Sequence, residues 1–589
     1  MIGNRPGMGF LSLGLLLACF IVPARAEDKG QSKLDEAISL KLEAKTPAEL
    51  AKVIELCEEA LKLGLDEGNT AIAKQFLAAS SLQKAKSVVQ QLPRLASNAA
   101  QLRRLKSELA ADLGKAIEND PTLAEAHILA AQVSMLQPAD SAAAMNHVSK
   151  AIELLKDNPV DQSAAYMLRA RLQPETAEQL KDYLLAVEAD PTNMAAWQLR
   201  IALQMSIGKL DEAYKDIQKL LDNDDGNEFA VLAAFETLIK LKKYDELVEL
   251  LDKQIVAKPK EGVYYRLRGT AFIIKAADKN DKSLLEKARP DLDKAIELNS
   301  RDAQALILRS QVLFDLGEID KARRDIGDAL LLDPNAIDGV FMRAAIAARE
   351  KRYADAIADM ELLVRAFPTR ESYVRQLAGY YQLDDRPRLA IRLLDEAIKN
   401  KKDSWRSLRM RGDARLSVGE HAEAIQDYEK AIAIVEKLAD KPKPKPAADA
   451  KEETEPDAEE SQSDDAGAEK EEHAGLLNNL AWVLATSPTD DVRDGKRSIE
   501  LSTKACDLTE YKEAHILSTL AAGYAETGDF AKAREWSQKA VDLGKEEENE
   551  QLEQLQKELD SYKKDAPWRE EQKTEENKKQ RVKGETIET

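Results

Sequence analysis

The chain has 589 residues, a formal net charge of −20, 33% charged residues and 5% aromatic residues. That length allows several domains. So few aromatics among so many charges suit long amphipathic helices better than one large globular core. The acidic balance speaks against nucleic acid or anionic lipid as general partners, leaving room only for a local basic groove.

Residues 1–26 have the pattern of a secretory signal. Arg5 precedes the apolar stretch Gly9–Val22, and Pro23 leads into Ala24-Arg25-Ala26, a small-x-small cleavage pattern. The stretch is short for a membrane span, which needs about 20 apolar residues. Cleavage would leave Glu27 first and deliver a periplasmic or secreted protein. Leu16-Leu17-Ala18-Cys19 also resembles a bacterial lipoprotein box. Lipidation at Cys19 would anchor the chain to a membrane, although Phe20-Ile21-Val22 stays apolar where lipoproteins turn polar. An uncleaved anchor is the third reading.

Residues 27–121 read as divergent helical repeats. Val53, Leu56, Cys57, Ala60 and Leu61 mark one apolar face at helical spacing. Cys57 and Cys506 lie on such stripes far apart, as buried small apolar side chains rather than a disulfide framework.

The main array is expected over residues 122–435, where a pattern recurs every 34 residues. Ala303–Pro334, Ile337–Pro368 and Trp405–Ala433 run in phase. With Ala303 as position 1, Leu313 falls at 11, Gly317 at 15, Ala322 at 20, Ala329 at 27 and Pro334 at 32. Gly317 ends the first helix, because glycine takes a left-handed cap without strain. Pro334 ends the second, lacking an amide hydrogen and clashing with the preceding turn. Strand signals are absent. The frame extends back through Gly262, Glu228 and Met194, with Lys275–Ser283 read as an insertion in one inter-helix loop. Such self-similarity means stacked helix pairs.

Positions 7 and 23 switch together. Arg faces Asp in Arg200/Asp216, Arg268/Asp291, Arg309/Asp325, Arg343/Asp359 and Arg411/Asp427, and a shortened unit offers Arg169/Asp182. Where 7 is apolar so is 23: Ala234/Leu250, Leu377/Leu393 and Leu520/Trp536. Contact between the two helices of a unit explains this, through a partly buried and possibly bidentate Arg–carboxylate bond; two solvated charges are the alternative.

The pattern resembles the tetratricopeptide repeat, with a small residue at 8, Ala at 20 and 27, and Pro at 32. The resemblance implies an all-α, right-handed α-solenoid of stacked helix-turn-helix repeats. Its first helices would line a concave groove through positions 2, 5, 9, 12 and 13. Mapped here, the groove would show Arg266, Ile273, Ile307, Gln311, Phe314, Phe341, Arg349, Arg375, Gln382, Arg409 and Leu416. Apolar anchors among arginines suit an extended acidic-apolar peptide. Packing between neighbouring repeats is the competing role for each apolar member. Some family members hold a chaperone's terminal carboxylate with Lys at 5 and Asn at 9. Position 9 here reads Ala202, Glu236, Thr270, Gln311, Ala345, Gly379 and Asp413, so that clamp is missing.

Residues 436–473 break the array with fourteen carboxylates, six lysines and a Lys-Pro alternation. Too little is apolar for a core, and the segment reads as a disordered acidic linker. A repeat pair resumes over 474–545, a capping helix follows over 546–570, and 571–589 reads as a disordered charged tail. Asn479-Leu480-Ala481-Trp482, Arg493-Asp494-Gly495 and Leu520-Ala521-Ala522-Gly523-Tyr524 resemble the terminal repeats of exported bacterial tetratricopeptide proteins.

Catalysis finds no foothold. The chain lacks a phosphate loop, His-Glu-x-x-His, Cys-x-x-Cys and Gly-x-Ser-x-Gly. No catalytic, cofactor or metal residue is expected, and none of His127, His147, His421, His473 and His515 has a partner at metal-ligand spacing. His127 and His147 fall on opposite helices of one unit, where they could meet. The expected function is an exported, non-catalytic scaffold for a protein or peptide partner. A self-assembling envelope component, or an accessory subunit of an envelope enzyme or secretion complex, is the alternative.

Overall fold

The computed structural model describes residues 29–95, 98–401, 404–439, 466–546 and 551–570. The expected signal peptide with Cys19, the middle of the acidic linker and the tail 571–589 lie outside them. Among the described residues all regular structure is helical, and no helix is long and apolar enough to cross a membrane. The fold is an all-α helical-repeat solenoid.

The chain divides into two compact units, residues 1–219 and 220–589. In the first, α1 (Lys29–Glu43) pairs with α2 (Pro47–Leu63), α3 (Glu67–Leu95) with α4 (Ala99–Asn119), α5 (Ala124–Ser134) with α6 (Ser141–Leu154), and α7 (Pro159–Leu172) with α8 (Thr176–Ala189). α9 (Met194–Ser206) and α10 (Leu210–Asn223) follow.

The second unit continues with α11 (Glu228–Lys240), α12 (Tyr244–Ala257), α13 (Gly262–Lys279), α14 (Ser283–Leu298), α15 (Ala303–Asp315), α16 (Ile319–Leu332), α17 (Ile337–Arg349), α18 (Tyr353–Ala366), α19 (Glu371–Leu383) and α20 (Pro387–Asn400). It ends with α21 (Trp405–Ser417), α22 (His421–Ala439), α23 (Ala466–Thr486), α24 (Gly495–Leu508), α25 (Ala514–Glu526), α26 (Phe530–Glu546) and α27 (Leu552–Tyr562). From α11 to α27 each helix packs on its partner and each pair on the next.

Local chemistry sets the ends of the helices. Asp302 caps α15 by accepting from the Ala305 amide at 3.0 Å. Gly317 stops the same helix at φ +83°, and the corresponding turn after α17 puts Lys351 at φ +60°. Ala322, Ala329, Ala344 and Ala356 are fully buried where the helices of the array meet. Their small side chains let the backbones approach closely.

Three boundaries differ from the sequence reading. The insertion at Lys275–Ser283 is not an extended loop: α13 runs on to Lys279, and Asn280 caps it in the left-handed region at φ 48°. Ile273 and Ala276 are buried on that last stretch, so the apolar stripe carries the helix past its usual stop. α22 continues to Ala439 and α23 starts at Ala466, inside the span read as linker. Ala, Glu and Lys before Leu476 are good helix formers, and extending an existing helix avoids a new nucleation step. The terminal cap spans Leu552–Tyr562, shorter than expected, and residues 566–570 lack regular structure.

Candidate binding trough

The arginines at position 7 meet their aspartates across each helix pair. Arg309 donates through Nε and Nη2 to Asp325 at 2.6 and 2.8 Å, a two-pronged bond between α15 and α16. Arg343 does the same to Asp359 at 2.8 and 2.7 Å, and Arg411 to Asp427 at 2.9 and 2.6 Å. Arg268 grips Asp291 at 2.8 and 2.5 Å, and Arg169 Nε reaches both Asp182 oxygens at 3.0 Å. Arg200 lies 3.1 Å from Asp216 without an aligned hydrogen bond; Gln204 Nε2 donates to that carboxylate at 2.9 Å instead.

A second carboxylate, missed in the sequence, joins three of these arginines. Nη1 of Arg309 donates to Asp293 at 2.8 Å, Nη1 of Arg411 to Asp395 at 2.5 Å, and Nη1 of Arg268 to Asp252. Each of these aspartates sits on the preceding helix pair, so the arginine stitches one repeat to the next. The signal was present as a fixed spacing, Asp sixteen residues before Arg. The two carboxylates raise the Arg309 and Arg268 guanidinium pKa values against the opposing effect of burial, with the bond to the position-23 aspartate as the first cause.

The expected groove residues do not form one surface. Ile273 and Ile307 are core residues, only 7% and 5% exposed. The next first helix covers each: Val312 of α15 shares the cluster of Ile273, and Val340 of α17 that of Ile307. Arg266 donates to the capping carboxylate of Asp302 at 3.0 Å, which ties α13 to the start of α15. Phe314 packs on the α15–α18 core, and Phe341 stacks on Tyr373 with ring centroids 5.7 Å apart. Gln311 and Arg349 are exposed. Arg375 pairs with Glu371 at 3.2 Å and, with Arg409, lines a small hollow of about 220 Å³ beside Trp405 and Glu472.

Gln382 and Leu416 belong to something larger. They line a trough of about 1940 Å³ formed by α19, α21, α23, α25 and α27, with the start of α20 on one rim and Trp568 and Glu570 on the other side. Gly412 precedes the lining residue Asp413 on α21, and a Cβ there would meet the Tyr428 ring at 3.0 Å. That absence lets the fully buried Tyr428 press against α21 and donate its hydroxyl to Asp413 at 2.5 Å. Asn479 donates to the same carboxylate at 3.4 Å. Burial holds the Asp413 pKa above the usual carboxylate range and drives the Tyr428 phenol well above its own.

Further along, Glu558 of α27 is buried, accepts from Ser518 Oγ and from Gln554 Nε2 at 3.0 Å, and has its pKa raised by that burial. Trp482 donates its indole N–H to Glu570 at 2.8 Å, and the Glu570 amide donates to the Thr486 carbonyl at 3.0 Å. Those bonds hold the end of the described chain against α23.

Two wall residues have unfilled bonding capacity. His421, first residue of α22, is 7% exposed, and neither ring nitrogen has a partner. Burial pushes its pKa down, keeping the imidazole neutral with one donor and one acceptor. Asn478 is 8% exposed, and its Oδ1 accepts nothing. Sequence reasoning passed over both, along with Trp482, Glu558 and Trp568. His421 carried one signal: a histidine at the first position of a helix, just after the Gly419 turn.

Elsewhere, His127 and His147 meet with their Nδ1 atoms 3.2 Å apart, and burial lowers both pKa values. Cys57 and Cys506 are buried free thiols, with pKa values pushed up to about 11 and about 12, which makes thiolate chemistry unfavourable. Among the described residues no three His, Cys, Asp or Glu side chains are grouped to hold a metal ion.

A tetratricopeptide-repeat family model matches residues 281–339, 312–371 and 380–439. These matches place tetratricopeptide repeats in the second unit. Among curated proteins the chain is similar to DnaJ homolog subfamily C member 3 of Bos taurus, 24% identical over 315 residues, covering 44% of this chain and 62% of the relative. The Homo sapiens protein of the same name is 24% identical over 309 residues, covering 47% of this chain and 60% of the relative. The chain thus spans less than two thirds of the length of these relatives. Similar solved structures include Naa15/Naa10 bound to HypK-THB, at 13% identity, TM-score 0.38, and coverage of 91% of this chain and 92% of that one. Yeast Tom70 is another, at 14% identity, TM-score 0.36, and coverage of 91% and 95%.

Proposed function

We propose that this protein is a non-catalytic scaffold whose trough between α19 and α27 holds an extended segment of a partner protein. The observation that carries the reading is the pair of unpartnered buried polar side chains, His421 and Asn478, on the wall of a large concavity. Burying polar atoms without partners costs about 1–3 kcal/mol each, so a ligand that supplies those partners recovers that cost on binding. Peptide backbone fits, because an extended chain offers N–H and C=O groups at regular intervals. Trp482, Leu416 and Leu555 supply apolar contact beside them. The tetratricopeptide repeats support the same class of function, since stacked helix pairs expose an extended concave surface for binding.

The test is to replace His421→Leu and Asn478→Leu together. The urea midpoint is expected to rise, because apolar side chains replace orphaned polar ones. Capture of the protein that the unaltered chain retains from extract should be lost. A variant that retains that protein equally well rejects the trough as its docking surface.

We propose further that Met1–Ala26 directs export. Intact-mass analysis of the protein recovered from its producing cells is expected to show Glu27 as first residue. Acyl chains on Cys19 would replace simple cleavage with lipid anchoring, and a retained, unmodified Met1–Ala26 would reject both.

A further inference from the structure

We infer that the partner segment is acidic, docking its carboxylates on Arg388 and Arg392 while its backbone meets His421; this rests on the scaffold reading above. Of the charges lining the trough, only some remain uncommitted. The carboxylates of the trough are already engaged: Asp413 by Tyr428 and Asn479, Glu558 by Ser518 and Gln554, and Glu570 by Trp482. Asp385 also has a partner within the chain. Arg388 and Arg392 line the same trough, are exposed, and make no ion pair or hydrogen bond among the described residues. Four residues apart on α20, they share one helix face and present two guanidinium forks side by side. Guanidinium pairs with carboxylate in a planar, two-pronged bond.

The chain's net charge of −20 confines attraction of an acidic ligand to local cations. An acidic ligand is repelled at long range by most of the surface, so its affinity must come from local cations. A basic ligand would be drawn everywhere and would gain nothing at this rim. Like-charge exclusion elsewhere and pairing here would therefore act together to define the register.

Random linear peptides displayed on phage and selected on the immobilised full chain test this. Enriched sequences are expected to carry Asp or Glu beside apolar residues. Measured by fluorescence anisotropy, they should bind Arg388→Glu/Arg392→Glu about tenfold more weakly or worse. That loss should shrink as salt screens the rim. Both positions are exposed, and an unchanged urea midpoint verifies folding. Enriched peptides lacking acidic residues, or peptides that bind the reversed rim equally well, would overturn the acidic preference and leave the scaffold reading standing. Enrichment of no peptide at all would overturn the scaffold reading and this inference with it.

Discussion

The α13–α18 stretch and the α21–α27 stretch are built from the same helix pair, yet they treat buried polar atoms in opposite ways. In the first, each inward charge is met: Arg268 and Arg309 each hold two carboxylates, one inside their own repeat and one on the repeat before. In the second, Arg411 keeps that double grip, but His421 and Asn478 are buried with bonding capacity unused. Other buried polar atoms are left open too, Arg200 Nε and Gln254 Oε1 among them, but His421 and Asn478 do so on the lining of a large concavity, where another molecule can supply the partner. Among the described residues, pairing is saturated through α13–α18, and open capacity meets a concavity only at the trough.

The largest effect should come from breaking the frame. Arg309→Leu strands Asp325, whose side chain is 10% exposed, and is expected to cost about 3 kcal/mol, the low end for breaking a buried pair. Replacing both residues by Leu should restore much of that, because no charge is left orphaned. Equal urea midpoints for single and double variants would show that the pair is a solvated one. Arg343→Leu should cost less, since the Arg343 side chain is 46% exposed and water can reach Asp359 once it is gone.

Two glycines come next, one in α21 and one in α19. Gly412→Ala drives a methyl into the Tyr428 ring, which is fully buried and pinned by Asp413, so a loss of about 1–3 kcal/mol is expected. At Gly379, one pair earlier, the nearest atom is Met410 Cε at 3.9 Å, and alanine should stabilise by about 0.5–1 kcal/mol through helix propensity. Chemical denaturation of the two variants in parallel reads the opposite signs. The same sign in both would mean that the Tyr428 ring yields.

A pH dependence comes third. His127 and His147 both hold pKa values below the ordinary 6.5, chiefly through burial. The unfolded chain therefore binds protons that the folded chain refuses. Stability should be complete above about pH 6.5 and fall as the pH drops from there through the folded pKa values, levelling off below them. Urea midpoints across that window should fall less steeply for His127→Gln/His147→Gln. An unchanged slope would assign the fall to other groups.

Much of the fold could be read in the sequence because the repeat fixes it locally. Gly317, Pro334 and the alternation of Arg309/Asp325 with Leu377/Leu393 report helix ends and helix pairing within one repeat length. The trough could not be read that way. Its wall joins Gln382, His421, Trp482 and Glu558, brought together only once four helix pairs and the terminal helix have stacked. Position numbers taken from one repeat say which way a side chain points, but not what the next helix covers. Ile273 and Ile307 were misplaced for that reason. The inter-repeat aspartates escaped because the spacing that reveals them crosses a repeat boundary, whereas the comparison of positions 7 and 23 stays inside one.

The smallest effect sharpens that last point. Arg343 lacks the second carboxylate that Arg309 and Arg411 enjoy, because the residue sixteen places before it is Gly327. Gly327 lies within α16, and a Cβ built there meets nothing within 4 Å. Gly327→Asp should place a carboxylate where Asp293 stands relative to Arg309. Any side chain gains some helix propensity over glycine, so Gly327→Asn is the reference, close to Asp in propensity but uncharged. Asp should exceed Asn by a few tenths to about 1 kcal/mol, the range of a partly exposed ion pair, and salt should erase the difference. If Asp and Asn denature together at low salt, the aspartate before each arginine is incidental. The stitching of one repeat to the next would then rest on apolar packing alone.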